Sequence, residues 1–229
     1  MVEVLQNKAL GTTKMSNKPK TNLSDLFILD FTGMISGAFC TKLLADLGAN
    51  VLKIEPPGGE IMRSVAPLMD NKSCVFGSLN IGKKSITLDL KKKESVNICL
   101  KLAKKYDIIV ENFSPGVMQR LGLDYEAIRK ANDKIIMCSI SGYGQTGPDA
   151  YQPAFAPIVQ AKSGYDLTYT EAQDDYAVPL NMGPPVGDTT ASLIAYGSIL
   201  AALHYRERTG EGQYIDSAMQ DSLLSTMHR

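Results

Sequence analysis

The chain contains no tryptophan and only two histidines, His204 and His228. Histidine is the neutral-pH titrating side chain and the commonest metal ligand. A histidine-rich metal centre therefore has almost nothing to draw on. Net charge is missing as well, since 24 Lys and Arg balance 24 Asp and Glu. Binding to nucleic acid or to an anionic membrane leans on a basic field, and the overall balance supplies none. Cysteines are few: Cys40, Cys74, Cys99 and Cys138. None forms a C-x-x-C pair, so they fit neither a zinc site nor a disulfide frame and read as the reduced thiols of a cytoplasmic protein. No uninterrupted apolar run reads as a membrane span. The first 22 residues carry Lys8, Lys14, Lys18 and Lys20 without an apolar segment. They read as a polar, disordered extension and not as a secretory signal.

What is present is a core-forming chain of 229 residues, 44% hydrophobic, long enough for one domain or two. Phe27 to Phe31 (F-I-L-D-F) reads as a buried strand. Gly33 and Gly37 follow, then a helical pattern over Ala38 to Leu47, then a second strand, N-V-L-K-I-E, at Asn50 to Glu55. Strand, glycine turn, helix and strand make a βαβ unit and predict a parallel sheet. A glycine turn before a helix suits either phosphate binding or tight βα packing, and G-M-I-S-G-A does not match G-x-G-x-x-G.

The alternation continues. Ser85 to Leu90 predicts a strand amid Lys83, Lys84, Lys91, Lys92 and Lys93, which form either a solvated rim or an anion site. An amphipathic helix is expected over Lys92 to Tyr106. The strand D-I-I-V-E then runs into N-F-S-P-G-V-M-Q-R-L-G-L. Loops at the carboxyl ends of parallel strands carry ligands in open α/β sheets. Asn112 and Phe113 there suit an amide and an adenine or pantetheine, or else a simple turn with Pro115 at the start of a helix. A short helix over Tyr125 to Ala131, a strand over Lys134 to Ile140 and a helix within Gln152 to Ser163 follow. Residues 165 to 187 read as a long polar loop containing Glu171, Asp174 and Asp175.

The stretch from Met182 to Leu224 organises the rest. A turn of Gly183, Pro184, Pro185 and Gly187 presents a single carboxylate, Asp188, before a long apolar helix. Arg206, Arg208 and Gly210 close that helix, a short strand is expected over Gln213 to Asp216, and a second helix follows. Asp188 stands where an N-cap belongs. A carboxylate on a glycine turn can also act as a nucleophile toward acyl groups.

The block G-D-T-T, then A-A-L-H-Y-R-E-R-T-G-E-G-Q-Y-I-D-S-A-M-Q-D-S-L-L, closely resembles the class III CoA-transferases (the CaiB/BaiF family). The opening D-F-T-G-M-I-S-G with L-A-D-L-G-A-N-V-L-K-I-E resembles the same family, as does N-I-G-K-K-S-I-T-L-D. The resemblance runs from about Leu23 to the last residue. It implies an α/β fold, a Rossmann-like parallel sheet with flanking helices, spanning 23–229 and truncated relative to the interlocked homodimer of the family.

It also implies residue roles. Asp188 matches the nucleophilic aspartate. Leu88 and Lys91 match positions lining the coenzyme A site, Asn112 and Phe113 match a CoA-contacting pair, and Arg120 matches a basic residue pairing with CoA phosphate. Pro56 and Ser114 depart from members that carry Arg there. Phe155 stands where racemase members place a catalytic histidine, so the chain resembles the transferase branch. The implied activity moves CoA, as acyl-CoA, between carboxylic acids through an aspartyl intermediate, without a metal. An acyl-CoA racemase, a catalytically incomplete CoA-binding fragment, and an α/β nucleotide-binding domain remain as alternatives.

Overall fold

A computed structural model describes residues 21–171 and 183–227. The polar extension read over 1–22 falls almost wholly outside them, as do Met182, Asp174, Asp175 and His228.

Six strands form one parallel sheet: β1 (Phe27–Asp30), β2 (Asn50–Glu55), β5 (Lys84–Thr87), β6 (Ile108–Glu111), β7 (Ile136–Ser141) and β8 (Tyr214–Ala218). Two short strands, β3 (Leu68–Met69) and β4 (Lys72–Ser73), pair with each other as an antiparallel ribbon. The sheet order is β5-β2-β1-β6-β7-β8. Counted along the chain without the ribbon, that is the 3-2-1-4-5-6 order of doubly wound sheets. The direction of winding reverses between β1 and β6.

Side chains alternate across each strand and feed two cores. Ile28, Ile108, Val110, Ile136, Cys138 and Ile140 face one side. They pack on α1 (Ser36–Asp46), α6 (Ala156–Lys162), α8 (Val186–Thr209) and α9 (Met219–Leu224) through Cys40, Leu44, Val159, Ala191, Ala195, Ile199 and Leu223. Leu29, Leu52, Ile54, Ile109 and Met137 face the other side. There they meet α3 (Lys93–Ala103), α4 (Val117–Leu121) and α5 (Tyr125–Arg129) through Cys99, Ala103, Met118 and Ile128. A short α2 (Cys74–Asn80) follows the ribbon.

Helix α8 spans 24 residues and ends at Gly210, whose φ of 79° is the left-handed cap that glycine adopts freely. Contrary to the expectation of no span-length segment, α8 is long and apolar enough by size and composition to cross a membrane. It instead packs on α1, α6, α9 and the sheet. Its buried positions 187, 191, 195, 199 and 202 are mostly small, which lets it lie close against its neighbours.

Among the element boundaries that differ from the sequence expectation, three stand out. Strand β5 stops at Thr87 because its partner β2 stops at Glu55, and Leu88 makes the last bond to the Glu55 carbonyl as the chain turns away. Residues 165 to 171 are not loop but helix α7 (Tyr165–Glu171). Helix α8 begins at Val186, two residues before Asp188.

Candidate active site

A cavity of about 130 Å³ opens at the carboxyl ends of the strands, where the winding reverses. Its walls include Met34 and Ser36 after β1, Asn112 and Phe113 after β6, Ser141 at the end of β7 and Gly142 beyond it, Met219 after β8, and Asp188 from α8. This is where open α/β sheets bind ligands, because two loops diverge there and leave a crevice.

Asp188 is the third residue of α8, and Pro185 occupies the cap position. The N-cap reading of Asp188 is therefore corrected: it lies within the first turn of α8. Ser36 shares the cavity wall with Asp188. Ser36 is the first residue of α1, whose own N-cap, Ile35, offers no side-chain acceptor. Asp188 and that open, partially positive helix end line the same cavity. Burial pushes the Asp188 carboxyl up to about 6, against an opposing effect of the neighbouring Ser36 hydroxyl and N–H.

The loop carrying Ser36 is held on several sides. Asn112 Oδ1 accepts from Gly33 N at 2.8 Å, and Asn112 Nδ2 donates to Gly33 O at 2.8 Å and to Ser36 Oγ at 3.1 Å. Met34, left-handed at φ 58°, donates its N–H to Glu60 Oε1 at 2.7 Å. Glu60 is paired with the buried Lys53 at 2.9 Å, and Lys53 also donates to Thr32 O at 2.6 Å. Asp30, at the end of β1, takes bonds from Thr32, Thr41 and Lys83. Burial raises the Asp30 carboxyl, but the Lys83 and Lys53 ammonium groups bring it below the ordinary carboxylate value. Gly37 allows the close approach, since a Cβ there would lie 2.3 Å from Thr32 Cγ2. The glycine turn accordingly serves tight βα packing.

Glu111 ends β6 and is 3% exposed. Its Oε2 accepts from Phe113 N at 2.8 Å and so fixes the Asn112–Phe113 loop. Burial raises its carboxyl to about 7, with a further push from Asp216 and opposing bonds from Ser139 and Phe113.

Of the residues singled out in the sequence, Asp188, Asn112 and Phe113 meet at the cavity. Leu88, Lys91 and Arg120 are not among its walls. Leu88 packs against the second core cluster, as Phe113 also does. Lys91 is exposed in the turn before α3, its N–H bound to Asp89 Oδ1 at 3.1 Å. Arg120 is exposed on α4, with its guanidinium close over Gly116. Sequence reasoning missed Ser36, Met34 and Glu111. The serine in G-M-I-S-G, at the start of a helix, was the available signal for Ser36. No pattern marked Glu111 apart from its position directly before Asn112. Among the described residues no group of three or more His, Cys, Asp or Glu could hold a metal ion.

The fold and this site define an open, doubly wound α/β protein with a partly buried carboxylate at its switch-point cavity. Residues 23–229 match the model of CoA-transferase family III, and the chain belongs to that family. It is 43% identical over 216 residues to an acetyl-CoA:oxalate CoA-transferase of Acetobacter aceti, covering 91% of this chain and 53% of that one. It is 42% identical over 216 residues to a succinyl-CoA:mesaconate CoA-transferase of Haloarcula hispanica, covering 90% and 54%. Among solved structures, a CAIB/BAIF family protein from Brucella suis superimposes with a TM-score of 0.85 at 32% identity, covering 91% of this chain and 56% of that one. Rv3272 from Mycobacterium tuberculosis gives 0.84 at 32% identity, with coverage of 91% and 56%. The chain spans about half the length of the curated relatives it matches.

Proposed function

We propose that this chain carries the nucleophile and part of the CoA site of an enzyme that moves coenzyme A between an acyl-CoA and a carboxylic acid. The observation that carries this reading is the Asp188 carboxylate in the switch-point cavity, in a family whose named relatives are CoA-transferases. A carboxyl at about 6 is mostly ionised at neutral pH, yet more basic than an ordinary aspartate. Both properties favour attack on a thioester carbonyl.

In this mechanism an Asp188 oxygen adds to the acyl carbonyl and the carbon–sulfur bond breaks. A mixed anhydride and CoA thiolate result. The thiolate then adds to Asp188 Cγ, the donor acid leaves as carboxylate, and an aspartyl thioester remains. The acceptor carboxylate reverses the sequence. A cavity of about 130 Å³ is smaller than a whole-ligand pocket. It fits the thioester end, while the nucleotide lies outside, toward the exposed Lys91 and Arg120. A guanidinium fork suits phosphate, and Leu88 and Phe113 offer apolar surface beside it. Remote contacts of this kind hold the thiolate near the anhydride between steps. The resemblance also supports a homodimer.

The test is mass spectrometry of the chain after incubation with several acyl-CoAs and trapping with hydroxylamine. An adduct at Asp188, absent in Asp188→Ala, is expected. Turnover that persists in Asp188→Ala would remove Asp188 from the mechanism.

A further inference from the structure

We infer that Gln160 is a positioning residue for this site: its amide, reaching from α6, holds the first turn of α8 and so sets where the Asp188 carboxylate stands in the cavity. The inference rests on the transferase reading and deepens it.

Three observations carry it. The first is that α8 starts without a cap of its own, since Pro185 at the cap position makes no side-chain bond. Its first helical bond runs from Thr189 N to Pro185 O at 3.0 Å, so the N–H of Gly187 has no partner within the helix. Gln160 Oε1 accepts from that N–H at 3.3 Å. Gly187 is buried and directly precedes Asp188.

The second is that the amide is committed at both ends. Gln160 is fully buried, and its Nε2 donates to Asp166 Oδ1 on α7 at 3.5 Å. Turned over, the amide would set its NH₂ against an N–H and its oxygen against a carboxylate, so the two partners fix one orientation. The third is that α6 also borders the cavity. Ala154 and Phe155, at its start, line the cavity together with Asp188. A Cβ on Gly187 would lie 3.6 Å from Ala156 Cα, so α6 and the first turn of α8 are in contact. One helix therefore supplies part of the wall and the bond that places the nucleophile against it.

Gln160 is not among the walls of the cavity and acts through Gly187, not on substrate. Attack on a thioester needs the carboxylate close to the carbonyl carbon and aligned with it, and a small displacement costs rate. Without the Gln160 oxygen, the Gly187 N–H is buried and unpaired, and the turn that carries Asp188 loosens.

The experiment compares wild type, Gln160→Met, Gln160→Glu and Ile128→Val. Quenched-flow mass spectrometry follows the Asp188 adduct, and NMR follows amide exchange at Gly187. Methionine keeps the length and loses the acceptor. Glutamic acid, kept protonated by burial, retains a carbonyl for Gly187 and an O–H for Asp166. Ile128→Val loosens the opposite core and controls for lost stability. Gln160→Met is expected to slow adduct formation about 10- to 100-fold at saturating acyl-CoA, with half-saturation unchanged. Exchange at Gly187 should speed up about 10-fold. Gln160→Glu should recover most of both, and Ile128→Val should alter neither. A wild-type adduct rate in Gln160→Met, or equal slowing in Ile128→Val, would overturn the proposal. So would a raised half-saturation at constant maximal rate. If Gln160→Met does not fold, the wild-type chain decides. Exchange at Gly187 as slow as in the middle of α8 supports the role, and exchange at the rate of an open chain sinks it. Absence of any wild-type adduct would count against the transferase reading, while exchange at Gly187 still decides whether Gln160 holds the turn.

Discussion

At the scale of single residues, Glu111 is a buried carboxyl and Asp188 a partly buried one, and each makes a pH statement. Glu111 has an ordinary value of 4.5 and a folded value of about 7. Between those values the folded chain keeps a proton that the unfolded chain has lost, so stability falls as pH rises through the window. Glu111→Gln removes that cost and keeps an acceptor for Phe113 N. Its thermal midpoint should exceed wild type at pH 8, by an amount on the order of 3 kcal/mol in stability. It should match wild type near pH 4. An equal gain at both pH values in calorimetry would contradict this. Asp188 must be ionised to attack, so adduct formation should rise with pH through about 6 and then level off. A rate flat from pH 5 to 8 would argue against Asp188 as the titrating nucleophile. The sequence made Asp188, Asn112 and Phe113 legible because their neighbours form recognisable local motifs. Ser36 stayed hidden because Asp188, with which it shares the cavity wall, lies 152 positions further along the chain, on another helix.

At the scale of elements, the end of β1 and the approach to β8 are the tight places. Asp30 faces two buried ammonium groups, Lys83 at 2.9 Å and Lys53 at 4.0 Å. Asp30→Ala leaves the buried Lys83 without its carboxylate, while Lys53 keeps Glu60 at 2.9 Å, and a loss of about 3–5 kcal/mol is expected in urea unfolding. A loss below 1 kcal/mol would show that water or rearrangement replaces the carboxylate. Gly212 passes directly beside the chain leading into β7. A Cβ there would sit 2.1 Å from the Ile135 carbonyl oxygen and 2.7 Å from the Lys134 carbonyl carbon. Neither contact is a flexible side chain, so Gly212→Ala should cost about 1–3 kcal/mol, seen as a lower urea midpoint with an unchanged slope. Strand and helix positions were mostly readable from periodicity. Their ends were not, as β5 shows: Ser85 to Leu90 alternates, but pairing stops where β2 stops.

At the scale of the whole molecule, α8 has two characters. One side is buried through Ala191, Ala195 and Ile199, while Leu193 and Ile194 are about half exposed. An apolar pair on a central helix accords with the proposed homodimer. Replacing both with lysine should reduce self-association in sedimentation velocity and change folding stability by less than about 0.5 kcal/mol, as ordinary exposed positions do. A monomeric wild-type chain at the same concentration would leave this face without that role.

The sequence by itself determined the alternation of strands and helices, the parallel sheet and the family, since periodicity, glycine turns and motif spacing are local properties of the chain. Only the tertiary structure decided what Asp188 does within the fold. Its place in the chain suggested a cap for its own helix, but α8 starts earlier and its first turn abuts the start of α1. The carboxylate therefore stands at the cavity wall beside Ser36 and is raised by burial. Burial and partner identity depend on which helix ends meet at the switch point, and strand order fixes that meeting.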